Sequence, residues 1–91
     1  MKPPTSSFAH ALRRARKARG ATQEQFDTIS SRTYISALER GLKQPTISKV
    51  DALASVLGLH PLTLFALSYA KPGHEKRLLE LVQHEIDGLS L

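Results

Sequence analysis

The 91-residue sequence contains no cysteine, few aromatic residues and no long apolar run. The lack of cysteine excludes disulfides, thiolate zinc sites, iron–sulfur clusters and cysteine nucleophiles. No window approaches the roughly 18 apolar residues of a membrane span, and the first seven residues contain no apolar run. We therefore expect a cytoplasmic protein with no membrane association, stabilised by the packing of one small core.

Signals for β-strands are also scarce, because aromatic residues make up 5% of the chain and no segment alternates polar and apolar residues for long. Helical periodicity is present instead. The sequence predicts an all-α fold: a flexible arm over residues 1–7, a compact five-helix domain over residues 8–70 and an additional C-terminal helix within residues 71–91. The first three predicted helices run from Phe8 to Arg19, after an N-cap at Ser6 or Ser7, from Thr22 to about Asp27 or Thr28, and from Arg32 to Arg40. The fourth is capped by Thr46 and ends at Leu57, and the fifth begins at His60 and Pro61. The sixth runs from Glu75 to about Asp87.

Apolar residues recur at helical spacing and predict the core, while Gly20, Gly41 and Gly58 each stand where a helix is expected to end. The residues expected to face inward are Phe8, Leu12, Ala15, Phe26, Ile35, Leu38, Val50, Leu53, Ala54, Leu57, Leu62, Phe65 and Leu67.

The net charge of +5 is unevenly distributed along the chain. Residues 1–49 contain ten Lys and Arg against three acidic residues, whereas residues 50–91 contain three against five. This asymmetry indicates either a basic surface for a polyanion on the N-terminal half or a solvated basic helix without a partner.

The second and third predicted helices are short and separated by a tight turn, which favours a helix-turn-helix. The outer face of the third helix carries small and polar residues, which allow close approach to the major groove. Thr22 and Gln23 place free backbone N–H groups and an amide where a phosphate can bind. An ordinary helical hairpin is the alternative, but it leaves the basic loop around Lys43 unexplained.

Several segments resemble the lambda-repressor-like (Cro/repressor, xenobiotic-response-element) helix-turn-helix family over roughly residues 8 to 68. They are Leu12-Arg13-x-x-Arg16, Gly20-Ala21-Thr22-Gln23-Glu24-Gln25-Phe26, Tyr34-Ile35-Ser36-Ala37-Leu38-Glu39-Arg40-Gly41, Pro45-Thr46, and Leu53-Ala54-Ser55-Val56-Leu57-Gly58-Leu59. The resemblance implies a five-helix domain that binds operator DNA as a dimer and reads it with the third helix.

The resemblance also implies roles for individual residues. Gln23 would bind a phosphate at the start of the second helix, Arg40 and Lys43 would flank the DNA backbone, and Arg16 would form a structural ion pair with Glu39. The residues implied to read bases are Ser31, Arg32, Thr33, Ser36 and Ala37.

The chain departs from the family between Gln23 and Ile35, where it is about two residues shorter and has no glycine in the turn. We therefore expect a shortened second helix. The register from Ser30 to Thr33 is affected most, and Tyr34 is compatible with either DNA or the core.

The C-terminal helix carries a narrow apolar stripe formed by Leu78, Leu79, Val82 and Ile86, with Leu89 beyond it. Such a stripe either docks on its own domain or pairs with a second copy. Dimer pairing is favoured because a domain this small gains from association. A rival interpretation is an antitoxin-type protein whose stripe binds a different protein and whose DNA binding is secondary.

Neither a catalytic motif nor a metal motif stands out. The four histidines, His10, His60, His74 and His84, do not pair at i and i+4, and no Gly-x-Ser-x-Gly or phosphate-binding glycine loop is present. The sequence thus predicts a bacterial or phage-derived, homodimeric, sequence-specific transcriptional regulator. Its expected partners are double-stranded DNA and a second copy of the chain, with no enzymatic activity, cofactor, metal or small-molecule ligand.

Overall fold

The computed structural model describes residues 8–89, and over this range the chain forms five α-helices and one 3-10 helix without any strand. The elements are α1 (Phe8–Ala18), the 3-10 helix (Gln23–Phe26), α2 (Arg32–Glu39), α3 (Ile47–Leu57), α4 (Pro61–Tyr69) and α5 (Glu75–Gly88). The predicted all-α fold with an additional C-terminal helix is confirmed. The predicted arm and the predicted caps Ser6 and Ser7 lie outside the described residues.

Side chains and glycines fix where the helices begin and end. The Ser31 Oγ accepts the Tyr34 backbone N–H at 3.1 Å at the start of α2, and the Thr46 Oγ1 accepts the Lys49 N–H at 3.1 Å at the start of α3. Each bond satisfies an N–H that has no partner within the helix. Gly20, with a φ of 68°, reverses the chain after α1, so that the Ala21 N–H reaches the Arg16 carbonyl at 2.9 Å.

The hydrophobic core lies where α1, the 3-10 helix, α2, α3 and α4 meet. The predicted inward residues of the first four helical segments are buried there, and Tyr34 and Ile29 pack against them half-buried. The buried cluster consists of Phe8, Leu12, Ala15, Phe26, Ile35, Leu38, Val50, Leu53, Ala54, Leu57 and Leu64.

The predicted inward face of α4 is wrong in part. Leu64 is fully buried together with Ser68, whereas Leu62 is 66% exposed and Phe65 and Leu67 are only half-buried. Because apolar residues surround this helix on every side, their spacing does not show which side meets the core. The phase is set by the packing of α4 against α1 and α3.

The C-terminal helix α5 packs on α4 and has no buried residue. Its first residue is tied to the domain, since the Glu75 carboxylate accepts the Gly73 N–H at 3.2 Å and lies 3.6 Å from the Arg14 guanidinium. Hydrogen bonds from the backbone N–H groups of Glu75 and Gly73 lower the pKa of Glu75 against the opposing effect of desolvation, and Arg14 lowers it further. Most of the remaining residues of α5 are exposed to solvent.

No single helix in residues 8–89 has the length and hydropathy required to cross a membrane. The apolar helices α3 and α4 reach that length and hydropathy only when taken together, and the chain bends by 108° between them.

Candidate nucleic-acid interface

The segment between the 3-10 helix and α2 is a compact turn without glycine. The 3-10 helix is a single turn that ends at Phe26, close to the early end that the short spacing predicts. The Ile29 and Ser30 N–H groups both donate to the Phe26 carbonyl, at 2.9 and 3.0 Å. The turn is therefore hydrogen-bonded to the backbone of Phe26, whose side chain is buried in the core.

Lys49 of α3 also binds this turn through its side chain. Its Nζ donates to the Ile29 carbonyl at 3.0 Å and lies 5.5 Å from the centroid of the Tyr34 ring. A cation at this distance from an aromatic face is attracted to the ring electrons. Tyr34 is half-buried and packs against the core of the domain.

Residues on the exposed face of α2 surround a shallow depression of about 350 Å³ next to the 3-10 helix. The depression brings together three of the residues predicted to read bases with two of those predicted to bind phosphate. Its lining residues are Gln23, Arg32, Thr33, Ser36 and Arg40. The depression is open, and each residue that lines it carries a polar group that can bond a phosphate or a base edge.

The remaining predicted site residues lie outside this depression. Thr22 is exposed just before the 3-10 helix, and Lys43 is exposed in the loop after α2. Ser31 is exposed at the start of α2, where its oxygen caps the helix.

Ala37 is the exception among the predicted base-reading residues, because it is buried with only 6% of its surface exposed. The prediction that it lies on the outer face is wrong. Ala37 is buried together with Ile35, Leu38 and Glu39 of the same helix. It therefore provides close packing of α2 and offers no surface to a base.

Arg16 and Glu39 form the ion pair that the family resemblance implies. The Arg16 Nε donates to the Glu39 Oε2 at 2.6 Å and its Nη2 donates to the Oε1 at 2.9 Å, which is a two-bond contact between planar groups. The hydrogen bonds to Glu39, supported by its charge against the effect of burial, raise the pKa of Arg16. A further bond from the Arg16 Nη1 to the Ala21 carbonyl at 3.1 Å joins α1, the chain before the 3-10 helix and α2.

Gln23 takes part in the same network, which the sequence did not predict. Its side-chain amide donates to the Glu39 Oε1 at 3.1 Å. A glutamine amide has two N–H bonds, so one remains for a ligand while the other is fixed by Glu39. The two residues are 16 positions apart, and no local pattern in the sequence reports such a contact.

Glu24 is an acidic residue within this basic surface, and it pairs with Arg32. The Glu24 Oε1 lies 3.2 Å from the Arg32 Nη2, and more than half of each side chain is exposed. An exposed pair of this kind contributes about 0–1 kcal/mol. Arg32 is therefore oriented at the start of α2 but free to exchange this partner for another.

No group of three His, Asp or Glu side chains within residues 8–89 is arranged to hold a metal ion. Among those residues, the polar surface on α2 and the 3-10 helix is the candidate binding surface.

Comparison with known proteins identifies the kind of domain that contains this surface. A sequence profile described as helix-turn-helix matches residues 12–64. A protein described as an uncharacterized HTH-type transcriptional regulator, y4dJ of Sinorhizobium fredii (strain NBRC 101917 / NGR234), is 41% identical over 56 residues, which are 59% of this chain and 68% of that protein. No solved structure matches. The profile covers the depression and ends within α4, before α5 begins.

Proposed function

Since this chain belongs to the lambda-repressor-like helix-turn-helix family, we propose that it is a transcriptional regulator that binds specific sequences of double-stranded DNA. The observation that carries the proposal is the depression on the outer face of α2, which Gln23, Arg32, Thr33, Ser36 and Arg40 line together. A helix that presents such a face can enter the major groove of DNA.

Affinity comes from contacts with phosphates. Gln23 offers its second amide N–H, Thr22 lies beside it, and Arg40 and Lys43 bring positive charge to the end of α2 and the loop after it. Each phosphate neutralised by a basic side chain releases condensed counterions. This part of the binding does not depend on base sequence and weakens as salt concentration rises.

Selectivity comes from the first half of α2. Arg32 supplies a guanidinium that can bond two acceptors of one guanine, and the hydroxyls of Thr33 and Ser36 face the same depression. Ser31 keeps its hydroxyl proton for donation while its oxygen caps the helix. A good two-bond contact with a base contributes about 1–3 kcal/mol of discrimination.

The regulator acts as a homodimer, acts in the cytoplasm and recognises an inverted repeat. Support for the dimer is the apolar stripe of α5, where Leu79, Val82 and Ile86 are exposed and Leu78 is half-buried. Two-fold pairing of small domains places two recognition helices about 34 Å apart, which is one turn of DNA. The rival function is the binding of a different protein, as an antitoxin does. It predicts that the isolated chain is a monomer or aggregates.

Selection from a pool of random DNA duplexes tests the proposal. The purified chain is mixed with the pool at about 150 mM salt, bound duplexes are recovered and amplified, and the cycle is repeated before sequencing. We expect one enriched motif with two-fold symmetry. Retention of duplexes without enrichment of any sequence would contradict specific recognition and leave only charge-driven binding.

A further inference from the structure

Lys49 is a basic residue of the N-terminal half whose ammonium group is bound within the domain itself. It lies in the first turn of α3, where the Thr46 Oγ1 accepts its backbone N–H at 3.1 Å. Lys49 is half-buried, and its Nζ donates to the Ile29 carbonyl at 3.0 Å. The two residues are 20 positions apart, so this bond joins α3 to the turn before α2.

The Ile29 carbonyl needs a donor from outside α2. The backbone hydrogen bonds of α2 begin at the Ser31 carbonyl, which accepts the Ile35 N–H at 3.1 Å. Ile29 precedes Ser31 in the chain, so its carbonyl lies outside this ladder. Ile29 is half-buried, and a carbonyl that loses water on folding is costly unless a donor replaces the water. The Lys49 ammonium supplies a donor there.

The same ammonium also contacts the first turn of α2. Its Nζ lies 5.5 Å from the centroid of the Tyr34 ring, which packs against the core. Tyr34 is joined in turn to Ser31, whose Oγ accepts the Tyr34 backbone N–H at 3.1 Å. One charged group therefore binds the chain both at Ile29 and at Tyr34, and we call these two contacts the Lys49 clamp.

The Lys49 clamp encloses the segment that carries most of the proposed base-reading side chains. Ser31, Arg32 and Thr33 all lie between its two points of contact. Recognition of bases requires side chains to be held within about 0.5 Å of the productive geometry. Attraction of basic side chains to phosphates, in contrast, does not depend on base sequence. Displacement of this segment would therefore weaken binding to an operator more than binding to random DNA.

We propose, building on the proposed function, that Lys49 is a positioning residue for sequence recognition. In this role it touches neither a base nor a phosphate. Its charge fixes the backbone at Ile29 and the ring of Tyr34, and through them the position of Arg32 against the DNA. The alternative for a lysine in this basic half is a phosphate contact, which predicts a different dependence of binding on salt.

Lys49→Met tests the role, because methionine keeps an unbranched apolar stem but removes the charge and all three donors. Affinity for the selected operator is expected to fall about tenfold, while affinity for random DNA changes by less than about twofold. The slope of log affinity against log salt is expected to stay the same, because no phosphate contact is lost. Fluorescence anisotropy at several salt concentrations measures these values. Lys71→Met, outside the helix-turn-helix, is the control for removal of one positive charge.

Conservative variants separate positioning from simple loss of the fold. Lys49→Arg keeps a cation and its donors, and it is expected to bind the operator within about threefold of the wild type. Tyr34→Phe keeps the ring and is expected to behave in the same way, whereas Tyr34→Leu is expected to lose discrimination as Lys49→Met does. Because both residues belong to the Lys49 clamp, the double variant is expected to lose less than the product of the two single losses.

Hydrogen exchange in the absence of DNA gives a measurement that does not depend on the proposed function. The Ile29 and Ser30 N–H groups both donate to the Phe26 carbonyl, so their exchange reports opening of the turn. Lys49→Met is expected to accelerate their exchange by about tenfold or more, while the amides of α1 exchange as in the wild type. Equal acceleration in α1 would show a general loss of stability and overturn the inference.

The outcomes distinguish this inference from the proposed function. An unchanged ratio of operator to random-DNA affinity in Lys49→Met, beside a wild-type chain that discriminates, would overturn the positioning role and leave DNA recognition intact. A salt slope lowered by about 1, with equal losses on both duplexes, would assign Lys49 to phosphate binding instead. A wild-type chain without any sequence preference would overturn the proposed function and this inference with it.

Discussion

Arg32 is the residue on which the selectivity of the proposed regulator depends most. It lies at the N-terminal end of α2, lines the depression and forms an exposed ion pair with Glu24. Arg32→Ala is expected to reduce the ratio of operator to random-DNA affinity by about 5-fold to 150-fold, because a two-bond contact with a base contributes about 1–3 kcal/mol. Fluorescence anisotropy with both duplexes measures the ratio. Lys71→Ala, which removes the same charge outside the helix-turn-helix, is the control, and an unchanged ratio in Arg32→Ala would remove Arg32 from the base-reading set.

Lys43 tests the contribution of phosphate contacts. It is exposed in the loop after α2, outside the depression. Lys43→Ala is expected to weaken binding to operator and random DNA by the same factor and to lower the slope of log affinity against log salt by about 1. Titrations at several salt concentrations supply both values. A loss confined to the operator would assign Lys43 to base recognition instead.

Individual residues also show how far the sequence predicts the candidate site. Gln23, Arg32, Thr33, Ser36 and Arg40 follow from the order and spacing of the family motifs, and the structure groups them on one surface. The burial of Ala37 does not follow from the phase of α2, because Ile35, Leu38 and Ser36 of the same helix lie where the spacing predicts. The bond from Gln23 to Glu39 and the pair of Glu24 with Arg32 join side chains of different elements. Contacts of this kind depend on packing and have no periodic signal.

At the level of the elements, the network around Glu39 holds α1, the 3-10 helix and α2 together. Glu39 is 4% exposed and carries bonds from Arg16 and Gln23. Glu39→Ala is expected to lower the free energy of unfolding by about 3 kcal/mol, because removal of one partner leaves the other charge without compensation. Chemical denaturation followed by circular dichroism measures it.

The exposed ion pair between Glu24 and Arg32 provides the matched control for Glu39→Ala. Glu24→Ala breaks an ion pair whose partners are both more than half exposed, and it is expected to cost less than about 1 kcal/mol. Equal losses in the two variants would contradict a special role for Glu39.

Val82 is the centre of the exposed stripe on α5. Val82→Glu places a charge in the proposed interface and is expected to convert the dimer to a folded monomer, as measured by sedimentation velocity and circular dichroism. His84→Glu, which adds the same charge on the opposite side of α5, is expected to remain a dimer. A Val82→Glu chain that still sediments as a dimer would exclude α5 from the interface.

The buried side of a helix can be predicted from the sequence when apolar residues are concentrated on one side of that helix. The phases of α1 and α3 are correct because apolar residues occupy one side of each, and the stop at Gly58 is correct because a left-handed residue ends α3 there. The phase of α4 could not be predicted, since Leu62, Leu64 and Leu67 are chemically equivalent in the sequence. Only packing distinguishes the buried Leu64 from the exposed Leu62.

For the whole molecule, the basic half and the more acidic half of the chain have different roles in the proposed dimer, DNA binding and dimerisation. The basic N-terminal half contains the helix-turn-helix, and the more acidic C-terminal half contains α5. Two recognition helices joined through one interface double the number of base contacts and fix the distance between them. Half-site spacing is therefore a property of the assembled dimer, which no single residue determines.

Affinity as a function of half-site spacing tests the central claim most directly. Two copies of the selected half-site are placed as an inverted repeat at centre-to-centre spacings from 8 to 18 base pairs, and the dissociation constant is measured for each duplex (these spacings bracket about one turn of 10–10.5 base pairs). We expect the tightest binding near one turn and at least tenfold weaker binding when half a turn is added. Equal affinity at every spacing, or affinity no greater than that of a single half-site, would contradict recognition by a two-fold dimer.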